Sequence, residues 1–146
     1  MASIRFENTI DIGVDRARVF AYLADIEHTP EWNWAIASSQ KLTPGPVEVG
    51  TRFRLERTAP QPAVEELEVT ALQPADRLEV AGRLGPFDAR LSYVLRDVPS
   101  GTHLVNRVEL EPRGPLGLLG GLVGGRIRGA VADNLTALKG VLERAG

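Results

Sequence analysis

The chain has 146 residues, of which 43% are hydrophobic and 25% charged, and its formal net charge is −2. One core is expected at this length, so residues 1–146 read as a single domain, and the near-neutral balance excludes a general pull toward nucleic acid or anionic membrane. Cysteine is absent, which excludes disulfides, thiolate nucleophiles and zinc–thiolate sites.

The opening residues Met1 to Phe6 lack a basic stretch followed by a long apolar run. No secretory signal is read there, and a cytoplasmic location is the expectation. Ile4, Phe6, Ile10 and Ile12 alternate with Arg5, Glu7 and Asp11, as in a strand with one buried face. Asn8 falls on the buried side. Asp15 reads as a helix N-cap, with Val14 and Val19 placed as a hydrophobic staple, and the helix carries Val19, Phe20 and Leu23 inward to about Asp25. Asp25 to His28 then connects to a second short helix, for which Thr29 is the expected cap, Pro30 the first helical residue and Glu31 the dipole partner.

Strands follow. Ile36–Leu42 leads through the Thr43-Pro44-Gly45-Pro46 turn to Thr51–Arg57, where Phe53 and Leu55 share one face. In Val64–Leu72, Leu67, Val69 and Ala71 are read on one face. Leu78, Val80 and Leu84 mark the next strand. The clearest alternation is Phe87, Ala89, Leu91, Tyr93 and Leu95, and Leu104, Val108 and Leu110 continue it after the Pro99-Ser100-Gly101 turn. Arg57 and Glu65 either face inward near the open end of the sheet or, as the preferred reading, are solvated strand ends. Regular strands with turn signals between them argue for an antiparallel meander with one wet and one dry face.

The last third is different. Leu119, Val123, Ile127, Val131 and Leu135 recur every four residues, and Leu138 and Leu142 continue the stripe. From Arg126 to Glu143 such a helix would span about 27 Å. Gly117, Gly121, Gly125 and Gly129 form a second four-residue series, beside Gly120 and Gly124. Each glycine inside a helix costs about 1 kcal/mol relative to alanine. Gly117–Gly125 is therefore read either as a mobile pocket lid or as a flexible connector. The apolar run stops at Arg126, short of the roughly 20 residues a bilayer span needs, so no integral membrane segment is expected.

Several stretches together resemble the START-like helix-grip superfamily, in its polyketide cyclase/dehydrase (SRPBCC) branch. They are Val19-Phe20-Ala21-Tyr22-Leu23-Ala24-Asp25, Pro30-Glu31-Trp32, Val49-Gly50-Thr51-Arg52-Phe53, Gly101-Thr102-His103-Leu104, and Leu138-Lys139 before Leu142-Glu143. The resemblance covers nearly the whole chain. It implies an α+β fold, with a curved seven-stranded antiparallel sheet gripping a long C-terminal helix and two short helices after the first strand. It also implies a hydrophobic cavity between sheet and helix. Relatives of this kind include lipid carriers, plant-hormone receptors and aromatase/cyclases, so the fold does not fix an activity.

Standard catalytic signatures are missing: there is no Gly-x-Ser-x-Gly and no Gly-x-Gly-x-x-Gly. Gly120 and Gly125 have P-loop spacing, but Arg126-Ile127 follows in place of Lys-Ser/Thr. His28 and His103 fit no metal-ligand spacing, and neither metal nor cofactor is expected. The candidates are polar residues on the dry face, Asn8, Tyr93 and Asn106, with Asn134 on the helix, placed to orient a polar group of a mostly apolar ligand or to satisfy one another. Trp32, Phe53, Leu67, Val123 and Ile127 complete the candidate ligand-binding set, and no residue is assigned a catalytic role. Trp32 and Trp34 sit on or just after the short second helix, where they either flank the pocket mouth and contact a ligand or, as preferred for Trp32, pack that helix onto the sheet. Asp25, Glu27, His28 and Glu31 form a polar cluster read as surface solvation and capping.

Three readings follow. The first is binding of a lipid-, polyketide- or terpenoid-like small molecule. The second is a polyketide cyclase or dehydratase that works mainly by positioning its substrate. The third is a protein-interaction module in which the glycine stripe receives a partner helix. The sequence leaves oligomeric state open.

Overall fold

A computed structural model describes residues 3–113 and 120–145, with side chains throughout except at 120–124. The expected lid or connector at Gly117–Gly125 therefore lies partly outside the described residues, as does the side chain of Val123. Strand β1 (Ile4–Ile12) is followed by helix α1 (Arg16–Ala24) and a 3-10 helix (Ile26–Glu31). Strands β2 (Ile36–Lys41), β3 (Arg52–Arg57), β4 (Ala63–Gln73), β5 (Arg77–Leu84), β6 (Phe87–Val98) and β7 (Gly101–Pro112) follow, and helix α2 (Gly120–Ala145) ends the chain. All strand pairs are antiparallel in one curved seven-stranded sheet of order β1-β7-β6-β5-β4-β3-β2. The fold is the α+β helix-grip arrangement.

Helix α1 begins as expected: the Asp15 carboxylate accepts from the Arg18 N–H at 3.2 Å, and Val14 and Val19 are both buried. The second short helix does not. It starts at Ile26, immediately after Asp25, and Thr29 lies inside it rather than capping it. The Thr29 hydroxyl is buried and donates to the Ile26 carbonyl at 2.6 Å. A threonine bonded back to its own turn satisfies itself without ending a helix. The expected face of Ala71 is also corrected. The β4–β5 register shifts between Val69, opposite Val80, and Ala71, opposite Glu79. This bulge sends Ala71 to the outer face and brings Leu72 opposite Leu78.

Helix α2 runs alongside β1 in the same direction and is pinned to it in sequence order. Asn8 Nδ2 donates to the Arg128 carbonyl at 3.2 Å, Lys139 Nζ to the Asp11 carbonyl at 2.8 Å, and the Gly13 N–H to the Glu143 carboxylate at 2.7 Å. Hydrogen bonds from Lys139 first, and from the Gly13 N–H second, hold the Glu143 carboxyl below its ordinary range. Leu135, Leu138 and Leu142 are buried against the sheet, while Ile127 and Val131 are half-buried. The β6–β7 turn needs Gly101, whose φ is +142° and where a Cβ would stand 2.2 Å from the Ile12 carbonyl oxygen.

Gly125 and Gly129 are helical and exposed, and nothing lies within 4 Å of where their Cβ atoms would be. Gly125→Ala and Gly129→Ala are each expected to stabilise the protein by about 1 kcal/mol, measured by urea unfolding. A destabilised variant would mean that these positions are not settled helix.

Candidate functional site

Because strands alternate, residues directly opposite one another share a face. Asn8 pairs with Asn106, Asn106 with Tyr93, and Tyr93 with Leu78, so three polar residues form one row across β1, β7 and β6 on the inner face. The sequence placed all three inward, and the structure brings them into line. Asn106 is fully buried. Its amide nitrogen donates to the Ser92 carbonyl at 3.1 Å, while its Oδ1 is closed to solvent and has no donor among the described residues. Asn134 comes from α2, and its buried Oδ1 is in the same state. A buried acceptor left without a donor costs about 1–3 kcal/mol.

Tyr93 is buried in the larger apolar cluster. Burial pushes its phenol up to about 12. The chain's other tyrosine, Tyr22, is also raised, first by burial and then by its hydrogen bond to Glu31. The folded protein is therefore expected to show no phenolate absorbance at pH 10, where the denatured chain is half ionised. For Tyr93 the folded value lies above the unfolded one. Its contribution is complete below pH 10 and is lost as pH rises through 12, a change on the order of 2–3 kcal/mol. Spectrophotometric titration with parallel melts checks both points.

Around this row the apolar residues form two buried clusters. The larger includes Val19, Phe20, Leu23, Phe53, Val69, Leu78, Leu95, Leu104, Leu135, Leu138 and Leu142. The smaller contains Ile4, Phe87, Ala89, Val108 and Leu110, with Ile127 and Val131 of α2 packed against it. Leu91 touches both. Leu67, Leu91, Ile127 and Val131 carry apolar side chains on this inner side yet remain half-buried. Phe53 is fully buried in the larger cluster, and Trp32 packs half-buried against it, whereas Trp34 is 69% exposed.

Arg57 and Glu65 overturn the expectation of solvated strand ends. Glu65 falls in the inward series with Leu67 and Val69, and its side chain is 3% exposed. Arg57 Nε donates to both carboxylate oxygens at 3.0 Å, and the Gly85 N–H donates to Oε2 at 2.9 Å. The pairing of β3 with β4 runs out to Arg57 opposite Ala63, and the β5–β6 turn reaches the carboxylate, so this end of the sheet is closed rather than wet. Period two placed Glu65 inward. Only the turn contact reveals that water is excluded.

A second polar group lies outside the sheet. Tyr22 and His28 stack with ring centroids 4.5 Å apart. The Tyr22 hydroxyl donates to Glu31 at 2.6 Å, and His28 faces Glu31 at 2.8 Å and Asp25 at 3.2 Å. The hydrogen bond from Tyr22, then that from His28, holds the Glu31 carboxyl below its ordinary range. An open groove of about 340 Å³ adjoins it, lined by Arg18, Ala21, Tyr22, His28, Val141, Leu142 and Ala145. The acidic cluster was visible in sequence, but the part played by Tyr22 was not, because the stack joins two helices.

The sequence pattern described as polyketide cyclase/dehydrase and lipid transport matches residues 3–143. Among curated proteins, none matches the chain by sequence. Similar solved structures include the di-domain ARO/CYC StfQ from the steffimycin biosynthetic pathway, at TM-score 0.80 and 16% identity over 99% of this chain. The chain spans about half of that protein (52%). The Zhui aromatase/cyclase from Streptomyces sp. R1128 superposes at TM-score 0.80 with 17% identity, covering 98% of this chain and 95% of its own. A START superfamily protein from Mycobacterium smegmatis superposes at 0.78 with 17% identity, covering 97% and 99%. At such identities the likeness is one of fold. Among the described residues no helix is long and apolar enough to cross a membrane.

Proposed function

The chain belongs to the polyketide cyclase/dehydrase and lipid transport family, and from that premise we propose that it binds an apolar small molecule, lipid-, polyketide- or terpenoid-like, between the inner sheet face and α2. One observation carries the reading: Leu67, Leu91, Ile127 and Val131 pack against one or the other buried cluster, Leu91 against both, yet remain half-buried. Apolar side chains in a core centre normally close completely. Asn8, Tyr93, Asn106 and Asn134 supply the few polar groups that orient a mostly apolar ligand.

Native mass spectrometry of the protein from its own source, with a neutral apolar fluorophore as titrant, tests the proposal. A stoichiometric apolar adduct, or saturable one-to-one binding abolished by Leu91→Trp, is the expected result. No adduct and no saturable binding would overturn it.

A second reading is a cyclase or dehydratase of polyketide-like substrates, and Tyr93 favours it. Tyr93 lies in the inner-face row with Asn106 and Asn8, and its phenol, protonated at neutral pH as any phenol is, can donate to a carbonyl oxygen as negative charge develops there. On this reading Tyr93→Phe lowers kcat on a polyketide-like substrate with little change in KM. Unchanged turnover would remove Tyr93 from the chemistry.

A further inference from the structure

The tyrosine–histidine stack outside the sheet has a chemical requirement built into its geometry. Both ring nitrogens of His28 face a carboxylate oxygen, Nδ1 at 2.8 Å from Glu31 and Nε2 at 3.2 Å from Asp25. A neutral imidazole has one N–H and one lone pair, so it can bond one of the two while its lone pair opposes the other. Only the doubly protonated ring donates to both. Of the two acceptors Glu31 is the better held, because its other oxygen accepts from the Tyr22 hydroxyl at 2.6 Å. The contact at risk is therefore the longer one, to Asp25, whose side chain is half-exposed and can take water instead. Asp25 is also the joint of this region. It caps the end of α1 and directly precedes the 3-10 helix, and its carbonyl accepts from the His28 N–H at 2.9 Å.

We propose that His28 is a proton-operated clasp on this joint. Protonated, it bridges Asp25 and Glu31 across the 3-10 helix and fixes the Tyr22–His28 wall of the open groove. Deprotonated, it lets Asp25 go, and the segment Ile26–Glu31 opens more often at its join with α1. Histidine changes charge between about pH 5 and 8, so the clasp closes as pH falls through that range. Glu31 stays ionised there, since hydrogen bonds from Tyr22 first and His28 second hold its carboxyl below the ordinary range. The Tyr22 phenol, raised first by burial, keeps its proton throughout. Arg18 of α1 lines the same groove and opposes the second proton, whereas Glu27 turns to the Lys41 N–H of β2. From α2 the groove receives Val141, Leu142 and Ala145, none of which titrates.

The experiment follows amide hydrogen exchange by NMR on either side of the His28 titration, with each rate corrected for the intrinsic effect of pH. Long-range 1H–15N spectra of the imidazole report which form the ring is in. The reporters are the N–H groups of His28, Trp32 and Asn33, which donate to the carbonyls of Asp25, Thr29 and Thr29. Their protection is expected to fall by about two- to fivefold when the ring becomes neutral, the range for an exposed ion pair. His28→Phe keeps a ring for the stack but no proton, and is expected to show the lower protection at every pH. Asp25→Asn keeps the test decisive should His28→Phe fail to fold. Its amide can accept from a protonated ring or donate to a neutral one, so the pH dependence is expected to vanish. His103→Gln, which removes the other histidine and its contact with Asp11, is expected to leave the dependence in place. Equal protection in the two ring states, or a dependence that survives His28→Phe or Asp25→Asn, overturns the inference.

Discussion

Arg57→Met is expected to destabilise the protein by about 3–5 kcal/mol, because it leaves the Glu65 carboxylate buried with only the Gly85 N–H for company. The Arg57 side chain keeps 17% exposure, so water can relieve part of the loss and the effect belongs at the lower end of that range. The corresponding fall in melting temperature is roughly 6–20 °C. Glu65→Leu alone strands the guanidinium and is expected to be costly as well. The double change Arg57→Met with Glu65→Leu is the informative corner of the cycle. Two apolar side chains in place of the pair are expected to be neutral or stabilising, by up to about 4 kcal/mol, because the desolvation of both charges disappears with them. Thermal melts of the four proteins decide the matter. If Arg57→Met by itself costs no more than a surface substitution, about 0.5 kcal/mol, the pair is not buried in solution.

Leu138→Ala is the second large effect, at about 2–5 kcal/mol. Leu138 has no exposed surface and lies with Leu135 and Leu142 in the larger cluster, where it holds α2 against the sheet. Truncation removes buried methyl groups and leaves a cavity bounded by both elements, which can close only if the helix shifts. The hydrogen bonds from Asn8, Lys139 and Gly13 oppose that shift. In urea the midpoint is expected to fall with an unchanged slope, since the surface exposed on unfolding hardly changes. Trp34→Ala is the control. This residue is larger, but it is 69% exposed, so its loss is expected to cost no more than about 0.5 kcal/mol. Comparable losses at the two positions would mean that α2 is not seated as described.

The sequence by itself determined the order of elements and which face of most strands is dry. Period-two alternation from Phe87 to Leu95 and four-residue spacing from Ile127 to Leu142 are local properties, set by backbone geometry and by the side chains that a strand or helix must hide. The same alternation put Asn8, Tyr93 and Asn106 inward, and the Asp15 cap was legible because its partner is three residues away. Where local chemistry allowed two outcomes, tertiary contacts chose. Thr29 could cap a helix or bond back to Ile26, and burial selected the second. The bulge between Val69 and Ala71 depends on the β4–β5 register, which no residue of β4 carries alone. Glu65 read as a strand-end charge until Arg57 and the turn at Gly85 closed around it, and the amide oxygens of Asn106 and Asn134 are closed off from solvent only in the packed fold, with α2 pinned along β1. Each of these depends on atoms far apart in sequence. Whether a buried polar group is satisfied is settled by the neighbours that folding brings to it, not by the residue itself.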